Sequence, residues 1–290
     1  MLELHEIDNW LNTVNARYRA DQVPPHQRPF RAMSDYSLEH NCTFSLDSPI
    51  AKAIIEWFDI HSQPGSQAIG AMFTGAFFFD ACFWPLNIPI GYGKFSINAV
   101  ECLESMPKSL KDQLLQSHHD QWNLALYWVD CCDYAYGINE IINKGNLKAK
   151  ALRFLQNADR ELAGAIAQLV IPRPNLKAIL ALRMACEIFL KVLLIQEQDL
   201  SDKELKKIGH EIKDIADKCF ALTKTQDFDS VSKAIGAYPE VSDRYDGVER
   251  EMTDVWKALC VTQIAATAVI RQYTGRDMRK QVLSSLQKNS

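Results

Sequence analysis

The sequence is poor in the residues that make tight turns. Its 290 residues include only 12 glycines and 11 prolines, and these are scattered along the chain. An all-β protein needs many tight turns, which glycine and proline supply, so the composition predicts an all-α fold. A hydrophobic share of 47% with 23% charged residues is typical of a folded globular chain and excludes a disordered or fibrous protein.

The sequence also lacks the features of an exported or membrane-spanning protein. None of its eight cysteines belongs to a C-x-x-C pair, and the N-terminus has no basic stretch followed by an apolar core. These features predict reduced thiols and a cytoplasmic protein. The longest apolar run, 68–84, has about 17 residues, contains Asp80 and stops at Pro85, short of the roughly 20 that a membrane span needs.

Charge is small overall but unevenly distributed. Residues 1–148 carry 10 Lys and Arg against 17 Asp and Glu, whereas residues 149–290 carry 22 against 19. The balance changes sign near the Gly145-Asn146 pair, so we predict a helical N-terminal region at 1–148 and a helical bundle at 149–290. Neither half is charged enough to require a nucleic-acid partner.

The N-terminal region contains helical patterns around 2–18 and 50–60, separated by a proline-rich polar connector. Residues 66–84 are predicted to form an aromatic helix, which we expect to be buried in the N-terminal core or against the bundle; a partner groove or dimer interface is the alternative. A long helix is predicted over 109–143, because Leu115, Trp122, Val129 and Tyr136 recur every seven residues and make a packing seam.

The long helix carries side chains of the types that bind zinc: His118, His119, Cys131 and Cys132. Residues 12 to 14 positions apart on one helix lie roughly 18–21 Å apart along its axis, so these pairs cannot share a metal ion. We therefore predict no metal site. The neighbouring Asp130 and Asp133 are expected on the solvated face of the helix.

Four further helical segments are predicted in the C-terminal half. They cover 148–169, 175–196, 202–222 with a break at Gly209-His210, and 248–273. The last has apolar residues alternately four and three positions apart, which predicts an antiparallel four- to five-helix bundle or a dimer face. Segment 175–196 is apolar except for a few positions, and its polar stripe recurs every four residues: Arg183, Glu187 and Lys191.

Three short motifs follow one another in this half. They are Ala-Cys-Glu-Ile-Phe-Leu-Lys at 185–191, Gly-His-Glu-Ile at 209–212 and Asp-Arg-Tyr at 243–245. Their order and spacing resemble the HEPN superfamily of small helical bundles, many of which have an A-x-E-x-x-L-K helix, a G-H-[DE]-[LI] turn and an R-Y pair. The resemblance covers about residues 149–275.

The resemblance implies one of two activities. HEPN proteins include metal-independent ribonucleases, whose R-x4–6-H motif acts on the 2′-hydroxyl and the phosphate, and members without the motif that bind nucleotides or partner proteins. The positions five to seven before His210 are Lys203, Glu204 and Leu205, and lysine lacks the planar fork of arginine. The resemblance therefore implies a non-catalytic binding member, without cofactor, in a bacterial defence, toxin–antitoxin or stress setting.

The candidate binding site combines the polar stripe with the two other motifs. If these segments meet, they form a pocket of net positive charge for a nucleotide or RNA phosphate, with the side chains of Arg183, Glu187, Lys191, His210, Arg244 and Tyr245. The alternative is a closed cluster, in which Glu187 pairs with Arg183 and Lys191, His210 caps a helix, and Arg244 closes the bundle through an ion pair.

Two other function classes stay open. A diverged ribonuclease would use His210 with Arg183 or Arg244, and a purely structural oligomeric protein would have no pocket. The basic tail is expected to be a solvated end or a contact for RNA or an acidic partner; its cations are Arg271, Arg276, Arg279 and Lys280. We expect a homodimer with a nucleotide, RNA or protein as partner.

Overall fold

Helices make up most of the structure, which confirms the all-α class. The computed structural model describes residues 4–42, 48–62, 71–90, 98–240 and 250–287. The α-helices in these ranges are α1 Leu4–Ala20, α2 Arg28–Glu39, α3 Pro49–Ile60, α4 Lys108–Gln116, α5 His118–Lys144, α6 Ala149–Leu169, α7 Ala178–Gln198, α8 Asp202–Ile208, α9 Ile212–Thr223, α10 Gln226–Lys233, α11 Met252–Tyr273 and α12 Met278–Gln287.

The chain divides into two compact units, Met1–Gly70 and Ala71–Ser290. Each has its own hydrophobic core. The boundary predicted near residues 145–150 coincides with the turn between α5 and α6, which lies inside the second unit. Gly145 makes that turn with a φ of 66°, a conformation that glycine adopts without strain.

The first unit consists of α1, α2 and α3. Leu11, Tyr18, Ile54 and Phe58 are fully buried in its core. The proline-rich stretch predicted as a connector is partly helical, because α2 begins at Arg28 and proline is tolerated in the first turn of a helix. Helix α3 begins after Ser48, whose hydroxyl accepts the Ala51 N–H at 3.2 Å.

A β-hairpin replaces most of the aromatic helix predicted over 66–84. Strands β1 (Phe73–Phe79) and β2 (Cys82–Ile88) pair antiparallel, while residues 66–70 lie outside the described part of the chain. Asp80 and Ala81 form the two-residue turn with φ of 50° and 54°. The physical reason for the correction is that aromatic residues favour a pleated, half-buried surface, where Phe77 packs inward.

Helices α5, α6, α7 and α11 form the centre of the second unit. Helix α7 packs on α6, α9 and α11, and α11 also packs on α5. Five residues of the heptad seam in α11 are buried within this one chain: Val255, Leu259, Thr262, Ala266 and Val269. Met252 and Tyr273 of the seam are half-buried, and Val248 lies outside the described residues. The seam is therefore used for intramolecular packing. No helix in the described residues is long and apolar enough to cross a membrane.

The helices predicted for the C-terminal half agree with α6, α7, the α8–α9 pair and α11 to within a few residues. Two shorter helices, α10 and α12, were not predicted. The helix predicted over 109–143 is interrupted at Ser117, because its hydroxyl caps α5 by accepting the Asp120 N–H at 3.2 Å.

Gly137 is the point where α5 and α11 approach most tightly among the described glycines. A Cβ placed on Gly137 would lie closer to Cγ2 of Ile270 than two carbon atoms can approach. We expect Gly137→Ala to lower the free energy of unfolding by about 1–3 kcal/mol, because the helices must separate. Urea denaturation measures this change.

The matched control is Gly164→Ala on α6, where an added Cβ meets no atom within 4 Å. This substitution should stabilise the protein by about 0.5–1 kcal/mol through helix propensity alone. Ile270→Ala removes the Cγ2 atom that the new Cβ would meet, so combining it with Gly137→Ala should cost less than the sum of the two single substitutions. Equal effects of the two glycine substitutions would contradict the close approach.

Candidate functional site

The polar stripe of α7 meets the turn between α8 and α9, and Glu187 lies at the centre of the contact. Its Oε1 is 2.7 Å from Nζ of Lys191 and 2.9 Å from Nδ1 of His210. Its Oε2 is 4.0 Å from Nη1 of Arg183. One carboxylate is therefore surrounded by an arginine, a lysine and an imidazole.

The cluster is buried on the α7 side and open on the His210 side. The side chains of Arg183, Glu187 and Lys191 are exposed by only 9–11%, whereas that of His210 is 76% exposed. Buried charges require partners because their desolvation is costly. Here two buried cations share a single buried carboxylate.

The turn is fixed to α7 through its backbone as well as its imidazole. Nη2 of Arg183 donates to the carbonyl oxygen of His210 at 3.2 Å. Gly209 precedes it with a φ of 76°, a left-handed conformation in which glycine carries no steric cost. The sequence thus positions His210 with two contacts from successive turns of one helix.

His210 has one ring nitrogen engaged and one directed away from Glu187. A carboxylate can only accept, so Nδ1 carries the proton and donates to Glu187. The Nε2 atom then accepts a hydrogen bond in the neutral ring and donates one in the protonated ring. The arrangement therefore places a hydrogen-bonding ring nitrogen at an accessible edge of the cluster.

The structure brings together four of the six residues predicted for the site: Arg183, Glu187, Lys191 and His210. Arg244 and Tyr245 lie in 241–249, outside the described residues. Of the closed cluster, the pairs of Glu187 with Lys191 and, at 4.0 Å, with Arg183 are present. The His210 imidazole, in contrast, is exposed and leaves one side of the cluster open to solvent.

A second charged cluster was not predicted. Asp130 and Asp133, expected on the solvated face of α5, are instead almost completely buried. Arg271 donates to Asp130 at 2.8 Å and to Asp133 at 2.6 Å, and Arg279 donates twice to Asp130. The carboxylates face inward because the second unit adds α11 and α12 over this part of α5.

The prediction of a solvated basic tail is wrong for two of its arginines, which belong to the Asp–Arg cluster of Asp130, Asp133, Arg271 and Arg279. The side chain of Arg271 is 7% exposed and that of Arg279 is 20% exposed. Arg271 also contacts Asp227 of α10 at 3.2 Å. Arg276 fits the solvated-end prediction better, since its side chain is 43% exposed and pairs with Glu140 at 3.1 Å.

Burial is the largest influence on the pKa values of two carboxyl groups in this cluster, Asp133 and Asp227. Desolvation raises the pKa of Asp133, although the Arg271 guanidinium and the backbone N–H of Met278 act in the opposite direction. Desolvation likewise raises the pKa of Asp227. Burial disfavours the charged form of Arg271, but Asp130 and Asp133 outweigh it and raise the pKa of that guanidinium. The cluster joins four helices, and its role is structural.

The sequence contained one signal for this cluster. Asp130 and Asp133 lie among strongly apolar residues of α5, and Arg271 continues the buried side of α11. Buried carboxylates require a cation, so this pairing could have been sought from the burial pattern. The partner was not identified from the sequence, because Arg271 follows the two aspartates by about 140 positions.

The cysteines show no metal or disulfide site in the described residues. All eight are free thiols, and burial raises the pKa of Cys186 to about 12. Burial also raises the pKa of Cys131 and Cys132, which both lie in the core. No group of three or more His, Cys, Asp or Glu side chains that could hold a metal ion occurs in the part of the chain described here.

Comparison of the chain with protein families, with curated proteins and with solved structures finds no match. The strongest indication of function in the described residues is the geometry of the Glu187 cluster, which consists of Arg183, Glu187, Lys191 and His210.

Proposed function

We propose that this chain is a non-catalytic binding protein that takes a phosphate-bearing ligand, a nucleotide or RNA, at the Glu187 cluster. The observation that carries the proposal is the charge imbalance: Arg183 and Lys191 are both buried and share the single carboxylate of Glu187. An anionic ligand would supply the missing negative charge.

The position of His210 supports access for such a ligand. Its side chain lies at the solvent edge of the cluster, held by Glu187 at Nδ1, which leaves Nε2 for the ligand. Phosphate groups accept charge-assisted hydrogen bonds from arginine, lysine and protonated histidine. The ligand would reach the cluster from the side of the α8–α9 turn.

The resemblance to HEPN bundles is part of the same proposal. Its first two motifs meet in space, because Glu187 of the helix motif contacts His210 of the turn motif at 2.9 Å. On this basis we propose a HEPN-like bundle in a cytoplasmic homodimer, working with a nucleic-acid or protein partner in bacterial defence, toxin–antitoxin function or stress.

A diverged ribonuclease is the second candidate, and the exposed imidazole of His210 favours it. That reaction also needs an arginine directed at the phosphate beside His210. Arg183 donates instead to the carbonyl of His210 and lies 4.0 Å from Glu187, so its fork is engaged in holding the turn. This engagement is the reason that binding is preferred over catalysis.

The test is incubation of the full chain with labelled single-stranded and structured RNA in the absence of metal. Binding and cleavage are measured for the wild type, His210→Ala and Lys191→Met. The matched control is Lys213→Met, because Lys213 is exposed and pairs with Asp217 at 2.8 Å. We expect binding without cleavage, weakened roughly tenfold or more by Lys191→Met and unchanged by the control.

Two results would overturn the proposal. Cleavage that is lost in His210→Ala would make the protein a ribonuclease. Absence of saturable binding to either RNA or to a mononucleotide would leave the Glu187 cluster as a purely structural ion-pair network.

A further inference from the structure

A cavity of about 650 Å³ lies at the first three turns of α11, between this helix and the 3-10 turn Ile235–Ala237. Its size falls within the range of about 300–1,000 Å³ that small-molecule sites occupy. Helix α10 contributes Lys233 from its last turn. The cavity shares no described residue with the Glu187 cluster.

The rim of the cavity is predominantly cationic. Lys233, Arg250 and Lys257 line it together with one acid, Asp254. Lys257 pairs with Asp254 at 3.2 Å, and Lys233 pairs with Asp229 at 2.6 Å. Both lysine side chains are well exposed, at 65% and 73%, so these pairs are weak surface interactions that an incoming anion can replace.

The wall of the cavity is apolar and aromatic. Trp256 is half-buried and packs in T-shaped pairs with Phe77 and Tyr127, with ring centroids 5.5 Å and 4.9 Å away. The hydroxyl of Tyr238 is satisfied by Thr262 at 2.7 Å, so this residue offers mainly its ring. An aromatic wall below a basic rim suits a molecule with an apolar body and an anionic end.

Gly236 lines the cavity and has open space where a side chain would begin. A Cβ added to this glycine meets no atom within 4 Å, and the backbone here is not left-handed. A large side chain at this position would therefore enter open space without strain. We propose that this cavity binds a small amphiphilic organic anion, an aryl or acyl carboxylate, sulfonate or phosphate, independently of the Glu187 cluster.

The test uses anilinonaphthalene sulfonate as the probe and the full chain as the protein. Its fluorescence titration is compared with that of N-phenylnaphthylamine, which has the same apolar rings and no charge. We expect saturable binding of one sulfonate probe per chain and at least tenfold weaker binding of the neutral probe. Lys257→Met should weaken binding of the sulfonate severalfold.

Gly236→Phe is designed to fill the cavity and should weaken binding of the sulfonate probe at least tenfold. Its control is Gly164→Phe on α6, where an added Cβ also meets nothing within 4 Å and the cavity is not touched. Near-ultraviolet circular dichroism establishes that each variant retains the native packing, so that the probe does not report a loosened core.

Three outcomes would overturn the inference. Equal affinity for the charged and neutral probes would make the cavity a simple apolar cleft. Unchanged binding in natively packed Gly236→Phe would place the probe elsewhere. Binding that is lost in Lys191→Met but kept in Gly236→Phe would assign the probe to the Glu187 cluster, and the proposed function would stand without this second site.

Discussion

Replacing Arg271 by methionine is expected to destabilise the second unit by about 3–5 kcal/mol. The guanidinium holds both Asp130 and Asp133, which are 1% exposed, and its removal leaves two buried carboxylates with less compensation. Arg279 remains bound to Asp130, whereas among the described residues Asp133 retains only the backbone N–H of Met278. Urea denaturation followed by far-ultraviolet circular dichroism measures the loss.

Arg276→Met is the matched control for this prediction. Arg276 lies on the same side of the chain near α12 and forms an ion pair with Glu140, but its side chain is 43% exposed. Solvent screens this pair, and its removal should leave stability nearly unchanged. Similar losses in the two variants would show that burial of the Asp–Arg cluster contributes nothing.

The same cluster predicts how Arg271→Met depends on pH. Desolvation raises the pKa of Asp133 in the folded state, and removal of Arg271 takes away a group that lowers it. A carboxyl whose folded pKa is raised contributes stability that is lost as pH rises through that pKa. The difference in unfolding free energy between the wild type and Arg271→Met should therefore become smaller as the solution is acidified.

Glu187→Gln is expected to have the second large effect, again about 3–5 kcal/mol of lost stability. The amide keeps the shape of the carboxylate but removes the only acidic partner of Arg183 and Lys191 in the described residues, both of which are buried. Adding Lys191→Met removes one of the two cations, and the double variant should recover part of the loss. Thermal unfolding of the three variants measures the coupling.

The control for Glu187→Gln is Asp217→Asn in α9. Asp217 also pairs with a lysine four positions away, Lys213 at 2.8 Å, but its side chain is 49% exposed. Asp217→Asn should therefore lower the stability much less than Glu187→Gln does. If Glu187→Gln proved as mild as this control, the Glu187 cluster would not be the desolvated charge network described above.

Helical segments were predictable where one periodic pattern decided the structure. The apolar faces of α6, α7 and α11 give that pattern, and the Gly209-His210 break follows from the turn residues. The hairpin was not predictable in this way, because an almost continuous apolar run is compatible with a buried helix or a strand. Its turn uses Asp80 and Ala81 in left-handed conformations, and alanine gives no signal for that.

Of the two charged clusters, only the Glu187 cluster was predictable from local sequence patterns. Arg183, Glu187 and Lys191 share one helix face at intervals of four, so their stripe was predictable, and Gly209-His210 marked the turn that meets it. Asp130 and Arg271 are separated by 141 positions, and only the packing of α11 on α5 brings them together. Local periodicity contains no information about that pairing.

The most direct test of the central claim is the phosphate dependence of thermal unfolding. A ligand that binds the folded state raises the unfolding midpoint with its concentration. At constant ionic strength, inorganic phosphate should raise the midpoint of the wild type more than chloride does, and Lys191→Met should abolish the difference. Identical curves in phosphate and chloride for the wild type would contradict an anion site at the Glu187 cluster.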